Sequence, residues 1–147
     1  MKCVIQRVKE ASVTVDEKIV GEIDHGLLVY FGVAKGDKEE YVDYVVNKIS
    51  KLRMFRDEND KMNLSAFDVN AKILVVSQFT LYANLRKGNR PSYDNAEVPK
   101  RANELYEMAV KKFRDLGFVT ETGVFGAHMD VRYLNDGPVT MILEKIE

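Results

Sequence analysis

Leu27-Leu28-Val29-Tyr30-Phe31-Gly32-Val33 is an almost unbroken apolar run of seven residues. A membrane span needs roughly 20 such residues, so this one is too short to be a span. Its β-branched and aromatic content reads as a strand covered on both faces, hence central in a sheet. Towards the N-terminus lie Cys3–Val8, a short apolar-rich strand, and Val13 and Val15, which alternate with polar residues. Asp16-Glu17-Lys18 reads as a turn, Ile19–Ile23 as the returning hairpin partner, and Asp24-His25-Gly26 as a second turn. Towards the C-terminus a helix follows. Asp37 is its expected cap, with Glu40 three residues on as in a capping box, and Val42, Val45, Val46, Ile49 and Leu52 repeat at helical spacing.

Arg56–Lys61 reads as a charged loop. Ile73–Val76 opens a second buried strand, expected to continue through Ser77-Gln78-Phe79-Thr80. Ala83–Asn95 carries Arg86, Lys87 and Arg90 and reads as a basic loop. In the second helix Val98, Ala102, Leu105, Ala109, Phe113 and Leu116 share one face, Pro99 suits the first turn, and Gly117 is placed to end it. Phe118–Val124 is a further strand. Val131–Leu134 and Val139–Ile146 are two more, joined by Asn135-Asp136-Gly137-Pro138. The expectation is a single α+β domain over residues 1–147, with strands outnumbering two helices.

Composition sets the limits. With 147 residues, 46% of them hydrophobic, and a net charge of −1, the chain has enough apolar surface to bury a core, and disorder is excluded. The near-neutral charge argues against a globally basic nucleic-acid binder, so any polyanion must meet a local patch. One cysteine forms no internal disulfide, and Met1–Arg7 lacks the apolar stretch of a signal peptide, which together point to a reducing cytoplasm. Two histidines and one cysteine argue against a structural zinc site, and no cofactor is expected.

No nucleophile–histidine–acid set declares itself. His25 falls in a turn and His128 in a Gly-Ala-His-Met loop, where surface or capping roles are the ordinary reading. Cys3 sits among apolar strand residues, as an inert buried thiol does. Gly32–Lys38 lacks the Gly-Lys-Ser/Thr ending of a phosphate loop. Two segments remain. In Ser77-Gln78-Phe79-Thr80-Leu81 polar side chains interrupt the end of a buried strand, where each needs a hydrogen-bond partner or a ligand. In Asn135-Asp136-Gly137-Pro138-Val139-Thr140, glycine lets backbone approach closely and proline makes a cis peptide cheap, although a plain turn would use the same residues.

Taken together, Ser-Gln-Phe-Thr-Leu at mid-chain and Asn-x-Gly-Pro-Val-Thr near the C-terminus resemble the paired signatures of the D-aminoacyl-tRNA deacylases. Val4-Ile5-Gln6-Arg7-Val8, Lys61-Met62-Asn63 and Gly123-Val124-Phe125-Gly126-Ala127 are similar to that family too, so the resemblance runs the whole length. It implies a compact barrel-like β-structure with two main helices packed against it. It implies hydrolysis of the ester joining a D-amino acid to the tRNA 3′ end, by a cytoplasmic homodimer. By the same resemblance Ser77, Gln78, Phe79 and Thr80 line the catalytic pocket, with Ser77 and the Phe79 backbone N–H near the ester. Gly137-Pro138, in the Asn135 motif, would be a cis peptide reaching into the partner subunit's pocket, with Arg7 holding that loop.

An aminoacyl ester is already activated, so positioning a water and stabilising an oxyanion can suffice. Thr80 is accordingly read as a pocket hydroxyl before a covalent nucleophile, since no histidine base stands beside it. Arg86, Lys87 and Arg90, with Lys100, Arg101, Lys111 and Lys112 on the second helix, are candidate phosphate contacts; an ordinary solvated face is the competing reading for the helix. Three other functions compete: an editing domain of the kind attached to threonyl-tRNA synthetases, a non-catalytic RNA-binding module, and a conventional serine or threonine hydrolase.

Overall fold

The structure, a computed structural model, describes all residues from Met1 to Glu147. The apolar run does form a central strand: β3 (Gly26–Gly32) lies between β1 (Lys2–Val15), antiparallel, and β6 (Lys72–Ser77), parallel. Both of its faces are covered. Leu27, Val29 and Phe31 join the larger core with Val42, Val45, Ile49, Leu105, Ala109 and Phe113 of the two long helices, α1 (Glu39–Lys51) and α3 (Pro99–Asp115). Leu28 turns the other way into a smaller core with Val8, Val13, Ile23, Leu74 and Val76. Burying each such side chain stabilises the fold by about 1.5–3 kcal/mol, so the sheet is held from both sides.

One edge of β1 is shared by two strands: β3 pairs with Lys2–Val8, and β2 (Lys18–Ile23) pairs with Ala11–Val15. Beyond β6 lies β7 (Thr120–Thr122), parallel to it. The sheet curls until β2 meets β7. There the Gly21 Cα faces the Thr122 backbone so closely that a β-carbon would overlap its carbonyl. This near-closure gives a barrel-like sheet with the long helices packed on one face, as the resemblance implies. The helices are also crossovers: α1 lies between β3 and β6, α3 between β6 and β7.

Several local expectations change. Cys3–Val8 and Val13–Val15 are parts of a single strand, because β8 (Asp130–Glu144) pairs with β1 along nearly all of it and carries the chain through the exposed Lys9 and Glu10. For the same reason Val131–Leu134 and Val139–Ile146 are one strand rather than two. Asp37 does not cap α1. Its carboxylate instead takes the Ala34 N–H at 2.8 Å and pairs with the Met1 amine at 2.6 Å, and Lys38 stands at the helix start without a side-chain cap. Arg56 belongs to a small hairpin of β4 (Phe55–Arg56) and β5 (Met62–Leu64). A capping box does occur, at Ser65 and Asp68 on the short α2 (Ala66–Val69). Gly117, with φ +97°, follows the end of α3 as anticipated. Phe118–Val124 shortens to the three residues of β7.

Candidate active site

Strand β6 ends at Ser77 and does not run on to Thr80. Gln78 has φ −142° and ψ 85°, and Phe79–Tyr82 coil into a 3-10 turn. The polar residues of the mid-chain motif cause this. The Gln78 amide donates to the Thr80 hydroxyl two residues on, a local bond that competes with the ladder. A turn begins with amides that have no carbonyl behind them. Accordingly neither the Phe79 nor the Thr80 N–H donates to a backbone acceptor.

Ser77, Gln78 and Phe79 line a largely apolar cleft of about 570 Å³. Its other walls come from Phe31 of β3 and Val33 just after it, from Tyr93–Ala102, and from Phe125–Met129. Phe79 and Tyr93 meet edge to face, with centroids 5.0 Å apart, and Phe79 is 55% exposed at the mouth. The segment bearing Tyr93 is fixed by hydrogen bonds from Lys35 N–H to the Asn95 carbonyl (3.0 Å) and from Glu97 N–H to the Val33 carbonyl (3.0 Å).

The cleft holds little acid–base machinery. Its one carboxylate, Glu97, accepts from two backbone amides, Val98 at 2.9 Å and Gly36 at 3.2 Å. Its one imidazole, His128, is 94% exposed on the rim and lies 3.7 Å from Asp130. His25 is elsewhere, packed against Phe55 with centroids 5.1 Å apart and ring planes tilted by 55°. Thr80 is not among the residues lining this cleft, and its hydroxyl accepts from the Gln78 amide.

The second motif forms a separate cluster. Gln6 pairs with Thr140 and Val8 with Asn135, so Asp136–Val139 bulge from β8 opposite Arg7 alone. Arg7 is only 1% exposed. Its Nη1 donates to the Met54 carbonyl at 2.7 Å, and its Nε donates to the Asp136 carbonyl at 3.1 Å and lies 3.3 Å from the Asp136 carboxylate. The Gly137-Pro138 peptide is cis. Gly137 has φ +126°, and a β-carbon there would come within 2.7 Å of Arg7 Nη2, so only glycine fits. Gly137 and Pro138 are exposed, Asn135 half-buried. Arg7 pairs with Leu27 and Ser77 with Phe31, so bulge and cleft lie four residues along and three strands across, on the order of 20 Å as followed along the sheet. Within one chain the two motifs do not meet.

The basic residues divide. Arg101 pairs with Glu39 and Glu104, Lys111 with Asp115 and Lys112 with Asp43, leaving Lys100 free. Arg86, Lys87 and Arg90 are exposed without acidic partners, on a loop closed by the Asn84–Ser92 bridge. Sequence reading missed most of the cleft walls. Tyr93 and Met129 look like ordinary loop residues in sequence and Val98 like part of a helix's packing face, and only their convergence marks them.

The geometry defines a barrel-like α+β domain with an apolar cleft whose lining includes Phe79, a residue with a free backbone amide. The sequence model of the D-Tyr-tRNA(Tyr) deacylase family matches residues 4–144, and the chain belongs to that family, whose members are hydrolases. A D-aminoacyl-tRNA deacylase of Aquifex aeolicus (strain VF5) is 56% identical over 147 residues, covering 100% of this chain and 99% of that one. Its counterpart from Clostridioides difficile (strain 630) is 55% identical over 144 residues, covering 98% and 97%. Among solved structures, one described as a c-Myc DNA unwinding element binding protein superposes with a TM-score of 0.94 at 38% identity, with full coverage of both chains. A probable eukaryotic D-amino acid tRNA deacylase shares the fold, with a TM-score of 0.81 at 17% identity over 97% of each chain.

Proposed function

We infer that this chain is a D-aminoacyl-tRNA deacylase that excludes L-amino acids sterically, through Gly137-Pro138 of a second copy placed in its cleft. The family supplies the coarse activity, hydrolysis of the ester between a D-amino acid and tRNA. The observation that carries the mechanism is the start of the 3-10 turn at the cleft wall, where Phe79 offers an uncommitted amide and no poised base is present. Such an amide stabilises the oxyanion formed as water attacks the ester carbonyl. Thr80 serves as a support for Gln78 rather than as a nucleophile. The terminal ribose 2′-OH of the substrate is a further available proton carrier.

Chirality is read by exclusion. A rigid backbone wall close to the substrate Cα leaves room for hydrogen and none for an L side chain, a selection against the wrong substrate. The wall is Gly137-Pro138, which is exposed, firmly held and remote from its own chain's cleft. It acts across a two-fold homodimer. The outer edge of β8 is unpaired and carries Leu134 and Ile142, 51% and 71% exposed, a surface suited to a second copy. No helix is long and apolar enough to cross a membrane, and a cytoplasmic location fits action on tRNA.

Glycine tests the exclusion, because it has no β-carbon for the wall to strike. Glycyl-tRNA is expected to be hydrolysed alongside D-alanyl-tRNA while L-alanyl-tRNA is spared. Deacylation at matched enzyme concentration decides it. Glycyl-tRNA as resistant as L-alanyl-tRNA would mean that a D side chain is recognised positively.

A further inference from the structure

Two consecutive residues of β1 grip the bulge from opposite faces, as strand alternation requires. Arg7 takes the Asp136 side. Gln6, 9% exposed, uses both ends of its amide. Its Nε2 donates to the Tyr133 hydroxyl at 3.0 Å, and its Oε1 accepts from the Thr140 hydroxyl at 2.8 Å and from the Asn135 amide. The Asn135 Oδ1 in turn accepts the Val139 N–H at 3.1 Å, directly after Pro138. Residues on both sides of Gly137-Pro138 are thus tied to one side chain: Tyr133 and Asn135 before it, Thr140 directly and Val139 through Asn135 after it. These bonds stand where the bulge has removed ladder bonds. The uncharged glutamine amide supplies the donor and the acceptor that these partners require.

We propose that Gln6 is a positioning residue for selectivity: it fixes the angle at which Gly137-Pro138 projects and never touches substrate. The proposal rests on the exclusion reading above. A steric wall discriminates only when placed to within a fraction of an ångström, and Arg7 secures only one of its two ends. Loosening the other end admits an L side chain while leaving the cleft of Ser77 and Phe79 unchanged.

Gln6→Met keeps the length and removes both hydrogen-bonding ends, and Thr140→Val removes one donor. Each is compared with the unaltered protein on D-alanyl- and L-alanyl-tRNA, with thermal unfolding as a check on folding. Gln6→Met is expected to raise the L-to-D rate ratio by roughly tenfold or more, with kcat on D-alanyl-tRNA within about threefold; Thr140→Val shifts the ratio the same way by less. A general loss of packing would lower both rates and leave the ratio unmoved. A ratio unchanged within about twofold in folded Gln6→Met overturns the proposal, and if that variant does not fold, Thr140→Val decides by the same criterion. If the unaltered protein hydrolyses both substrates equally, the exclusion reading itself fails, a result distinct from failure at Gln6.

Discussion

Thr80 and His128 are the two residues that a conventional hydrolase mechanism would need, and their surroundings argue against both. The Thr80 hydroxyl already accepts from the Gln78 amide, and His128 projects into solvent beside Asp130. Oxyanion stabilisation by backbone survives the loss of either side chain. Thr80→Ala and His128→Ala are therefore expected to retain kcat within about tenfold, roughly 1.4 kcal/mol of barrier. Single-turnover deacylation checks this, and a fall to the uncatalysed rate in a folded variant would indicate a nucleophile or base instead. At this scale the sequence was partly legible. Ser77 and Gln78 stand out as polar residues at a buried strand's end, Phe79 is marked by the family resemblance, and all three line the cleft. The strand expected to run on to Thr80 instead ends at Ser77 and gives way to a 3-10 turn, which strand periodicity does not foresee.

Between elements, the legible part of the fold was what periodicity and burial control. The central strand and both long helices follow from runs such as Leu27–Val33 and the Ala102–Phe113 stripe. What was illegible depends on partners distant in sequence. Asp37 suits a helix cap, but the Met1 amine and the Ala34 N–H claim its carboxylate. Asn135–Pro138 has turn composition, yet β1 pairs on both sides of it and makes it a bulge. Pairing also sorts the basic residues. Because Arg101, Lys111 and Lys112 have acidic partners and Arg86, Lys87 and Arg90 have none, we propose the loop as the phosphate-binding surface. Replacing those three loop residues by serine is expected to raise KM several-fold with kcat unchanged. It also flattens the dependence of log affinity on log salt, by roughly 0.7–0.9 for each phosphate no longer neutralised. Replacing Lys111 and Lys112 should do neither. KM measurements across a salt series separate the two surfaces, and the opposite pattern would assign RNA binding to α3.

For the whole molecule, the separation of the two motifs is the decisive fact. On the proposed reading, the cleft of one copy is completed by Gly137-Pro138 of another, because the two lie on the order of 20 Å apart along the sheet of one chain. Sedimentation is expected to show a dimer. Ile142→Asp, at a site 71% exposed, should give a folded monomer that no longer discriminates against L-substrates. A monomer that stays fully stereoselective would end the account of the wall acting in trans. The fold by itself does not decide between deacylation, editing of an L-amino acid and binding alone, since sites rather than folds carry chemistry. Release of D-tyrosine and of L-tyrosine from matched charged tRNAs separates all three. Rapid release of D-tyrosine with L-tyrosyl-tRNA left intact is the predicted result. Equal release of both, preferential release of L-tyrosine, or tRNA binding without turnover would contradict it.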